Sequence, residues 1–126
     1  MSGVVYDAGV LVAADRNVRR AWAMHRVRLE EGTVPLVPSV VVAQVSRSPR
    51  QVQLRRFLAG CDVVDFDEPS AHTVGMLLGA TGTVDVVDAA VVVLAATLQA
   101  VIVTSDPKDL TTLVQASGVR IHLEKA

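Results

Sequence analysis

The sequence has little cysteine, few aromatic residues and no long uninterrupted apolar run. Its single cysteine, Cys61, excludes an internal disulfide and suits a reducing compartment. No stretch reaches the roughly 18 consecutive apolar residues that a membrane-spanning helix needs, and the N-terminus lacks the basic segment of a secretory signal. These absences lead us to expect a soluble, cytoplasmic protein with no membrane segment.

Several common active-site signatures are also missing. Neither GxxxxGK[ST] nor GxGxxG occurs, which argues against a P-loop or a dinucleotide site. The three histidines, His25, His72 and His122, are scattered, so we expect them to be surface or partly buried structural residues. The chain has 126 residues, of which 51% are hydrophobic and 20% charged, and this is enough for one compact core. We therefore predict a single domain over residues 1–126.

The net charge of -1 hides an uneven distribution of charge along the chain. Nine of the twelve basic residues lie between Arg16 and Arg56, whereas nine of the thirteen acidic residues lie from Asp62 onward. The basic half could face a polyanion such as a nucleic acid. Charge alone leaves a second interpretation open, in which the arginines only solvate the outer faces of amphipathic helices.

Short β-branched runs alternate with segments of helical length. The runs predict strands at 4–6, 34–37, 61–66, 100–103 and 119–123. The intervening segments predict helices at about 15–31, 40–46, 49–60, 69–82, 85–99 and 107–117. Within them, Ser39 is expected to be an N-cap and Pro49 a first helical residue. The alternation predicts an α/β fold, a three-layer α/β/α sandwich with a mainly parallel central sheet.

Aspartates interrupt one of the most apolar parts of the chain, "TVDVVDAAVVVLAATLQAVIVTSDPKDL" at residues 83–110. Asp106 follows a predicted strand, and Asp7 ends the first one, so both should lie at the carboxyl edge of the sheet, where ligands collect. Asp85 and Asp88 are three residues apart on one face of a predicted helix start. That helix start could bring them to the same edge.

Four carboxylates in one cleft repel each other unless a cation lies among them, and Mg²⁺ or Mn²⁺ prefers such oxygen-only sites. Structural roles stay open for some of these residues. Asp85 could only cap its helix, and Asp88 and Asp109 could only favour helix dipoles. Asp7 is followed by Ala8 and Gly9, with no predicted helix to cap in the next turn, so it favours function.

Taken together, four segments of the sequence resemble a PIN domain of the kind found in the VapC toxins of bacterial toxin–antitoxin pairs. They are "VVYDAGVLVAADR", "VPLVPSVVVAQVSR", "TVDVVDAAVVVLAA" and "VIVTSDPKDL". The resemblance covers essentially the whole chain. It implies a PIN-like fold and a metal-dependent RNA endonuclease that uses Mg²⁺ or Mn²⁺ to activate a water for attack on a phosphodiester.

The resemblance also implies a role for particular residues. Asp7, Asp88 and Asp106 match metal ligands, and Thr104 or Ser105 matches a hydroxyl that orients ligands or the attacking water. The family pattern places a glutamate where this chain has Gln44, and a glutamine carries no charge and cannot act as a general base. Asp85 could supply the missing charge.

Partners follow from the same resemblance. It implies an RNA substrate, a small antitoxin protein and a homodimer, and we expect Arg16, Arg19, Arg47 and Arg50 to steer the RNA backbone. Scarce aromatic residues argue against recognition by base stacking. Two alternatives to an active ribonuclease stay open, namely a PIN module that binds RNA or protein with weakened or lost catalysis because of Gln44, and a purely structural domain.

Overall fold

The computed structural model describes residues 3–126, so Met1 and Ser2 of the predicted domain lie outside the described residues. Twelve elements follow one another along this part of the chain, one more than the eleven predicted from the sequence. They are β1 (Val4–Tyr6), α1 (Ala8–Asp15), α2 (Arg19–Glu30), β2 (Leu36–Pro38), α3 (Ser39–Val45), α4 (Val52–Ala59), β3 (Asp62–Val64), α5 (Glu68–Thr81), α6 (Val86–Leu98), β4 (Val101–Thr104), α7 (Pro107–Ala116) and β5 (Leu123–Lys125).

The five described strands form one sheet in the order β3-β2-β1-β4-β5, and every pair in it is parallel. Val5 of β1 is in register with Leu36 of β2 on one side and with Ile102 of β4 on the other. Helices lie on both faces of the sheet, which confirms the predicted three-layer α/β/α sandwich. The parallel order brings the carboxyl ends of β1 and β4 side by side.

The first helical region differs from the prediction of one helix at 15–31. α1 starts immediately after β1, because Asp7 has extended backbone and its side chain accepts a hydrogen bond from the Ala8 N–H. Val10, Leu11 and Ala14 bury one face of α1 against the core. The helix ends where Asn17 takes a left-handed conformation at φ 58°, and α2 begins separately at Arg19.

Three smaller predictions are also wrong. Ser39 is the first residue of α3 instead of its N-cap, and its Oγ accepts the N–H of Phe66 at 3.0 Å. Pro49 lies in a turn before α4, which begins at Val52. The last strand is shifted from 119–123 to Leu123–Lys125, because the preceding apolar residues pack on the core, as buried Ile121 does, without forming a ladder.

An aromatic cluster formed by Tyr6, Trp22, His25 and Phe57 attaches α2 to the sheet. Tyr6 Oη and His25 Nδ1 are 2.9 Å apart, and the His25 and Phe57 rings have centroids 4.0 Å apart. His25 is therefore buried, more deeply than the sequence suggested, and burial together with the nearby Arg28 charge lowers its pKa. Arg28 also donates to Glu124 Oε2 at 2.7 Å, which ties α2 to β5.

The interior is built from aliphatic side chains, as the composition predicts. Val5, Val37, Ile102 and Val103 fill the sheet, and α6 packs on it through an almost continuously buried run that starts at Ala89. Cys61 belongs to this packing, and burial raises its pKa to about 12. Among residues 3–126 no single helix is long and apolar enough to cross a bilayer, although α5 and α6, bent by 110°, reach that length and hydropathy together.

Candidate active site

Asp7 lies at the carboxyl end of β1 and is buried, with 8% of its surface exposed. Its Oδ1 accepts the N–H of Ala8 at 2.7 Å, and its Oδ2 accepts the hydroxyl of Thr104 at 2.7 Å. The expectation that Asp7 has no helix to cap is wrong, because it is the N-cap of α1. Capping occupies Oδ1 alone, and the second carboxylate oxygen is directed toward the end of β4.

Thr104 connects the two strand ends at the centre of the sheet. Its side chain is fully buried, and its Oγ1 donates to Asp7 Oδ2 while accepting the N–H of Asp106 at 3.1 Å. A hydroxyl group can do both at once because it carries one donor and two acceptor lone pairs. Thr104 therefore fixes the position of Asp7 relative to the backbone of Asp106, and of the two predicted hydroxyls it is the one with defined partners.

Asp85 and Asp88 lie at the start of α6. Asp85 is the N-cap, and its Oδ1 accepts the N–H of Asp88 at 3.0 Å, so the structural role considered for it is confirmed. Asp88 is half-buried. Partial burial, followed by the charges of Asp85, Asp7 and Asp109, raises its pKa to about 7. The charge of Asp7 acts on Asp88, which indicates that the start of α6 and the end of β1 face the same space.

Asp106 and Asp109 lie at the start of α7. Asp106 occupies the N-cap position, but its side chain makes no capping hydrogen bond to the described backbone, and it is exposed at the carboxyl edge. The charge of Asp106, followed by smaller effects that include Asp7 and Asp85, raises the pKa of exposed Asp109. These two residues thus complete a set of five carboxylates that act on one another across three segments of the chain.

Gly9 lies against Ser105, a contact that the sequence did not reveal. A β-carbon added to Gly9 would come within 2.0 Å of Ser105 Oγ and 2.9 Å of Ser105 Cβ, both closer than real atoms approach. The exposed hydroxyl of Ser105 therefore takes the position that a side chain on Gly9 would need. The only signal in the sequence was a glycine placed two residues after a strand-ending aspartate.

Gln44 and the four predicted RNA-contacting arginines make no described hydrogen bond or ion pair with the acidic residues at this edge. Gln44 is exposed near the end of α3, and none of its described hydrogen bonds reaches an acidic side chain. Arg16 follows the end of α1, about 14 Å along the helix axis from Asp7. Arg47 donates to the carbonyls of Ala43 and Ser46 at the end of α3. The remaining two, Arg19 and Arg50, are exposed. The roles of these residues stay predictions.

The acidic set fits a divalent cation by its chemistry. All its donors are oxygen atoms, which hard cations such as Mg²⁺ or Mn²⁺ prefer. Burial first, and then the charges of the neighbouring acidic residues, raises the pKa of Asp88, and a bound cation would offset both effects. Within residues 3–126, however, no three side chains of aspartate, glutamate, histidine or cysteine already lie together in a ligand group. The donor atoms of the acidic set therefore suit a divalent cation, although the described side chains do not lie close enough together to form a complete set of metal ligands.

The chain is similar to several solved structures of toxin–antitoxin complexes. A chain of VapBC2 from Rickettsia felis, bound to a DNA fragment from their promoter, matches with a TM-score of 0.71, 19% identity and 98% of both chains covered. A chain of DNA-bound VapBC from Salmonella typhimurium matches with a TM-score of 0.70 and 20% identity, covering 99% of this chain and 98% of that one. FitAcB from Neisseria gonorrhoeae matches with a TM-score of 0.63 and 13% identity, covering 96% of each.

No protein-family profile matches the sequence, and no curated protein matches it either. The structural similarity extends over nearly the full length of both chains and is far stronger than the sequence identity. The chain therefore has the fold of these VapBC and FitAcB chains, and the PIN-like fold implied by the sequence motifs is confirmed.

Proposed function

We propose that this chain is a divalent-metal-dependent RNA endonuclease and the toxin of a toxin–antitoxin pair. The observation that carries the proposal is the Asp7–Thr104–Asp106 connection, which joins the ends of two central strands beside Asp88. Asp7 could cap α1 without any other carboxylate nearby. The capping role therefore does not explain why the charge of buried Asp7 acts on Asp88 and Asp109. The fold shared with toxin–antitoxin complexes supports the same assignment.

Each residue of the site has a distinct part in this proposal. Asp7, Asp88 and Asp106 would hold the Mg²⁺ or Mn²⁺ ion, with Asp85 adding a fourth charge beside them. When bound, the ion supplies a water of lowered pKa and neutralises charge on the scissile phosphate. Thr104 holds Asp7 in place, and the hydroxyl of exposed Ser105 would donate to a phosphate oxygen of the RNA.

Cleavage of single-stranded RNA in the presence of Mn²⁺ tests the proposal directly. We expect Asp7→Asn to reduce the rate about a hundredfold or more, because the amide keeps the shape of the side chain and removes its charge. Asp62→Asn, at an exposed position on β3, is the matched control and should cleave at the wild-type rate. Equal rates for the wild type and Asp7→Asn would contradict the proposal.

Binding of Mn²⁺ separates this function from a purely structural domain. A cation that binds the native state alone raises the melting temperature, and the rise grows with the logarithm of the cation concentration divided by its Kd. We expect such a rise for the wild type and for Asp62→Asn, and its loss in Asp7→Asn and Asp106→Asn. A structural domain predicts that Mn²⁺ leaves the melting temperature of all four proteins unchanged.

Gln44 favours a second candidate function, a PIN module that binds RNA or a partner with weakened or lost catalysis. Its exposed amide stands where the family pattern carries a glutamate, so the chain has one negative charge fewer than that pattern. The Gln44→Glu variant distinguishes the two functions. A large gain in Mn²⁺ affinity or cleavage supports the weakened module, whereas an unchanged rate means that the acidic set already suffices.

The proposal extends to the partners and the compartment of the protein. The solved relatives are complexes of toxin with antitoxin, so we propose a small antitoxin protein as the inhibitor of this chain. We also propose that the chain forms a homodimer and acts in the cytoplasm, where RNA is the substrate. Light scattering of the purified protein measures the first property, and a twofold molar mass is the expected result.

A further inference from the structure

A cavity of about 270 Å³ lies between α1, α2 and the ends of β4 and β5, and we call it the α1–α2 pocket. Six of its lining residues are aliphatic, and they come from α1, α2, the segment between these helices, and β4. The wall residues are Val10, Ala13, Val18, Ala21, Met24 and Val103. Met24 and Val18 are 38% and 44% exposed, although both are apolar, so part of this wall faces solvent.

The α1–α2 pocket adjoins the candidate active site. Gly9 and Ser105 line it, and they are close neighbours in sequence of Asp7 and Asp106 respectively. Because Gly9 has no side chain, the Ser105 hydroxyl lies directly against its backbone, at the boundary between the pocket and the acidic residues. A molecule in the pocket would therefore extend toward the same edge of the sheet as the carboxylates.

The polar residues of the pocket give it an excess of positive charge. Arg20, Arg28, Glu124 and Lys125 all line it, and Arg28 and Glu124 neutralise each other through their 2.7 Å ion pair. Arg20 and Lys125 are exposed and contribute two further positive charges. An aliphatic wall with basic residues at its rim is complementary to a group that has a flat, weakly polar body and an anionic end.

We propose that the α1–α2 pocket binds one nucleotide of the RNA strand, with its base against Met24 and Ala21 and its phosphate near Arg20 and Lys125. This inference rests on the proposed function, because the nucleotide would adjoin the phosphate that is cleaved. The volume is slightly below that of sites for drug-sized ligands, roughly 300 Å³ and above, which suits a single nucleotide better than a peptide helix. None of the described lining residues is aromatic, so the base would make only dispersion contacts with aliphatic side chains, and these carry little sequence preference.

Methyl NMR of the methionines tests binding without any requirement for cleavage. Nucleoside 5′-monophosphates are titrated into the protein in EDTA, and Met24 reports on the pocket. Met76, 77% exposed on α5, is the internal control. We expect each nucleotide to shift the Met24 resonance and not that of Met76, and inorganic phosphate alone to shift neither. No shift of Met24 with any of the four nucleotides would overturn the proposal.

Two neighbouring alanines of α2 provide matched variants. Ala21→Leu fills the pocket, whereas Ala23→Leu adds the same side chain at an exposed position outside it. We expect Ala21→Leu to weaken nucleotide binding at least about tenfold and Ala23→Leu to leave it unchanged. Equal affinities in the two variants would overturn the proposal.

A charge variant keeps the test decisive if Ala21→Leu does not fold. Arg20→Gln changes an exposed residue at the rim of the pocket, and Arg26→Gln removes the same charge from a position on α2 outside it. We expect only Arg20→Gln to weaken binding of the nucleotides and to raise the KM for RNA. Suppose that the wild type cleaves RNA and that Arg20→Gln changes neither the KM for RNA nor the affinity for nucleotides. This result would refute the pocket and leave the proposed ribonuclease activity intact.

The converse outcome is equally distinct. If the wild type binds nucleotides at Met24 but cleaves no RNA with Mn²⁺, the pocket stands and the proposed ribonuclease activity fails. A peptide as the true occupant would leave Met24 unshifted by every nucleotide, which counts against the pocket as proposed.

Discussion

Thr104 shows how one hydroxyl group can order an acidic site. Thr104 is fully buried, and its hydroxyl is the described hydrogen-bond partner of two polar groups. These groups are Asp7 Oδ2 and the N–H of Asp106. Valine has nearly the same shape as threonine and makes neither hydrogen bond. The substitution therefore separates the effect of the hydrogen bonds from the effect of packing.

We expect Thr104→Val to lower the free energy of unfolding by about 1–3 kcal/mol, because the buried Asp7 Oδ2 and the partly buried N–H of Asp106 lose their partner. It should also lower the affinity for Mn²⁺, since Asp7 loses the contact that fixes its second oxygen. Chemical denaturation and calorimetry measure the two effects. Thr104→Ser keeps the hydroxyl and should preserve Mn²⁺ affinity, and a serine variant as impaired as the valine variant would contradict this role.

The sequence identified most of the acidic residues but not their contacts. Asp7, Asp88 and Asp106 could be selected because each stands at a predicted strand end or helix start, positions that parallel sheets bring together. The family resemblance indicated an orienting hydroxyl at Thr104 or Ser105, but the partners of Thr104 and the contact of Gly9 with Ser105 could not be predicted from the sequence. The Thr104–Asp7 hydrogen bond and the Gly9 contact both join the two ends of the sequence, and a hydrogen bond or a steric contact between distant residues leaves no local pattern.

At the scale of single elements, α2 is attached to the domain through few residues. Of its twelve described residues, only His25 is buried, and Met24, Val27 and Leu29 are exposed although apolar. Trp22 Nε1 donates to the Ala14 carbonyl at 3.1 Å, and Arg28 connects the helix to Glu124. α6, in contrast, buries five residues in the core. Local stability should differ accordingly between the two helices.

We expect the amide hydrogens of α2 to exchange faster than those of α6 in the native protein, because opening α2 exposes less apolar surface. Arg28→Gln should accelerate exchange in α2 and β5 further, since it removes the ion pair that joins them. Arg26→Gln, on the same helix and exposed, is the control. Hydrogen exchange is measured by mass spectrometry. Equal exchange rates in α2 and α6 would contradict this prediction, because they would show that the few contacts of α2 stabilise it as much as burial in the core stabilises α6.

The ease of predicting an element depended on whether its ends carried a local signal. α5 and α6 lie close to their predicted positions, because Pro69 and Gly82 mark the first and Asp85 and Gln99 the second. α1 was missed because Ala8 and Gly9 suggest a turn. Its formation depends on the Asp7 cap and on burial of its apolar face, which are properties of the folded molecule.

For the whole molecule, the acidic edge makes stability depend on pH in the direction opposite to that of a salt-bridged carboxylate. The pKa of Asp88 rises from 3.8 to about 7, so the native state binds more protons than the unfolded state between these values. Stability from this group is then present at low pH and is lost as pH rises through that window. His25, whose pKa is lowered, acts in the reverse sense and destabilises the protein as pH falls below 6.5.

We expect Asp88→Asn to raise the free energy of unfolding above pH 7, in EDTA, by roughly 1 kcal/mol once solvent screening of this half-buried group is included. The gain should shrink as pH falls toward 3.8, where the wild-type carboxyl is also neutral. Thermal unfolding over a range of pH measures it. Asp62→Asn is the exposed control, and an Asp88→Asn variant no more stable than wild type at high pH would contradict the expected repulsion.

The fold class was accessible from the sequence because strands and helices alternate regularly, and this pattern predicts a parallel α/β sandwich. The order of the strands was not. β1 lies at the centre, between β2 and β4, because it pairs with strands that are far from it in the sequence. No local sequence pattern specifies which of these strands pair.

That central position of β1 has a consequence for the synthesis of the protein. Asp7 and Thr104 are separated by 97 positions, so the hydrogen bond between them forms only after the chain through Thr104 has left the ribosome. A truncated product that stops before β4 carries Asp7 and Asp88 but has neither the partner strand nor Asp106. Under the proposed function, such a product lacks one of the three carboxylates proposed to hold the metal ion and the hydroxyl that positions another.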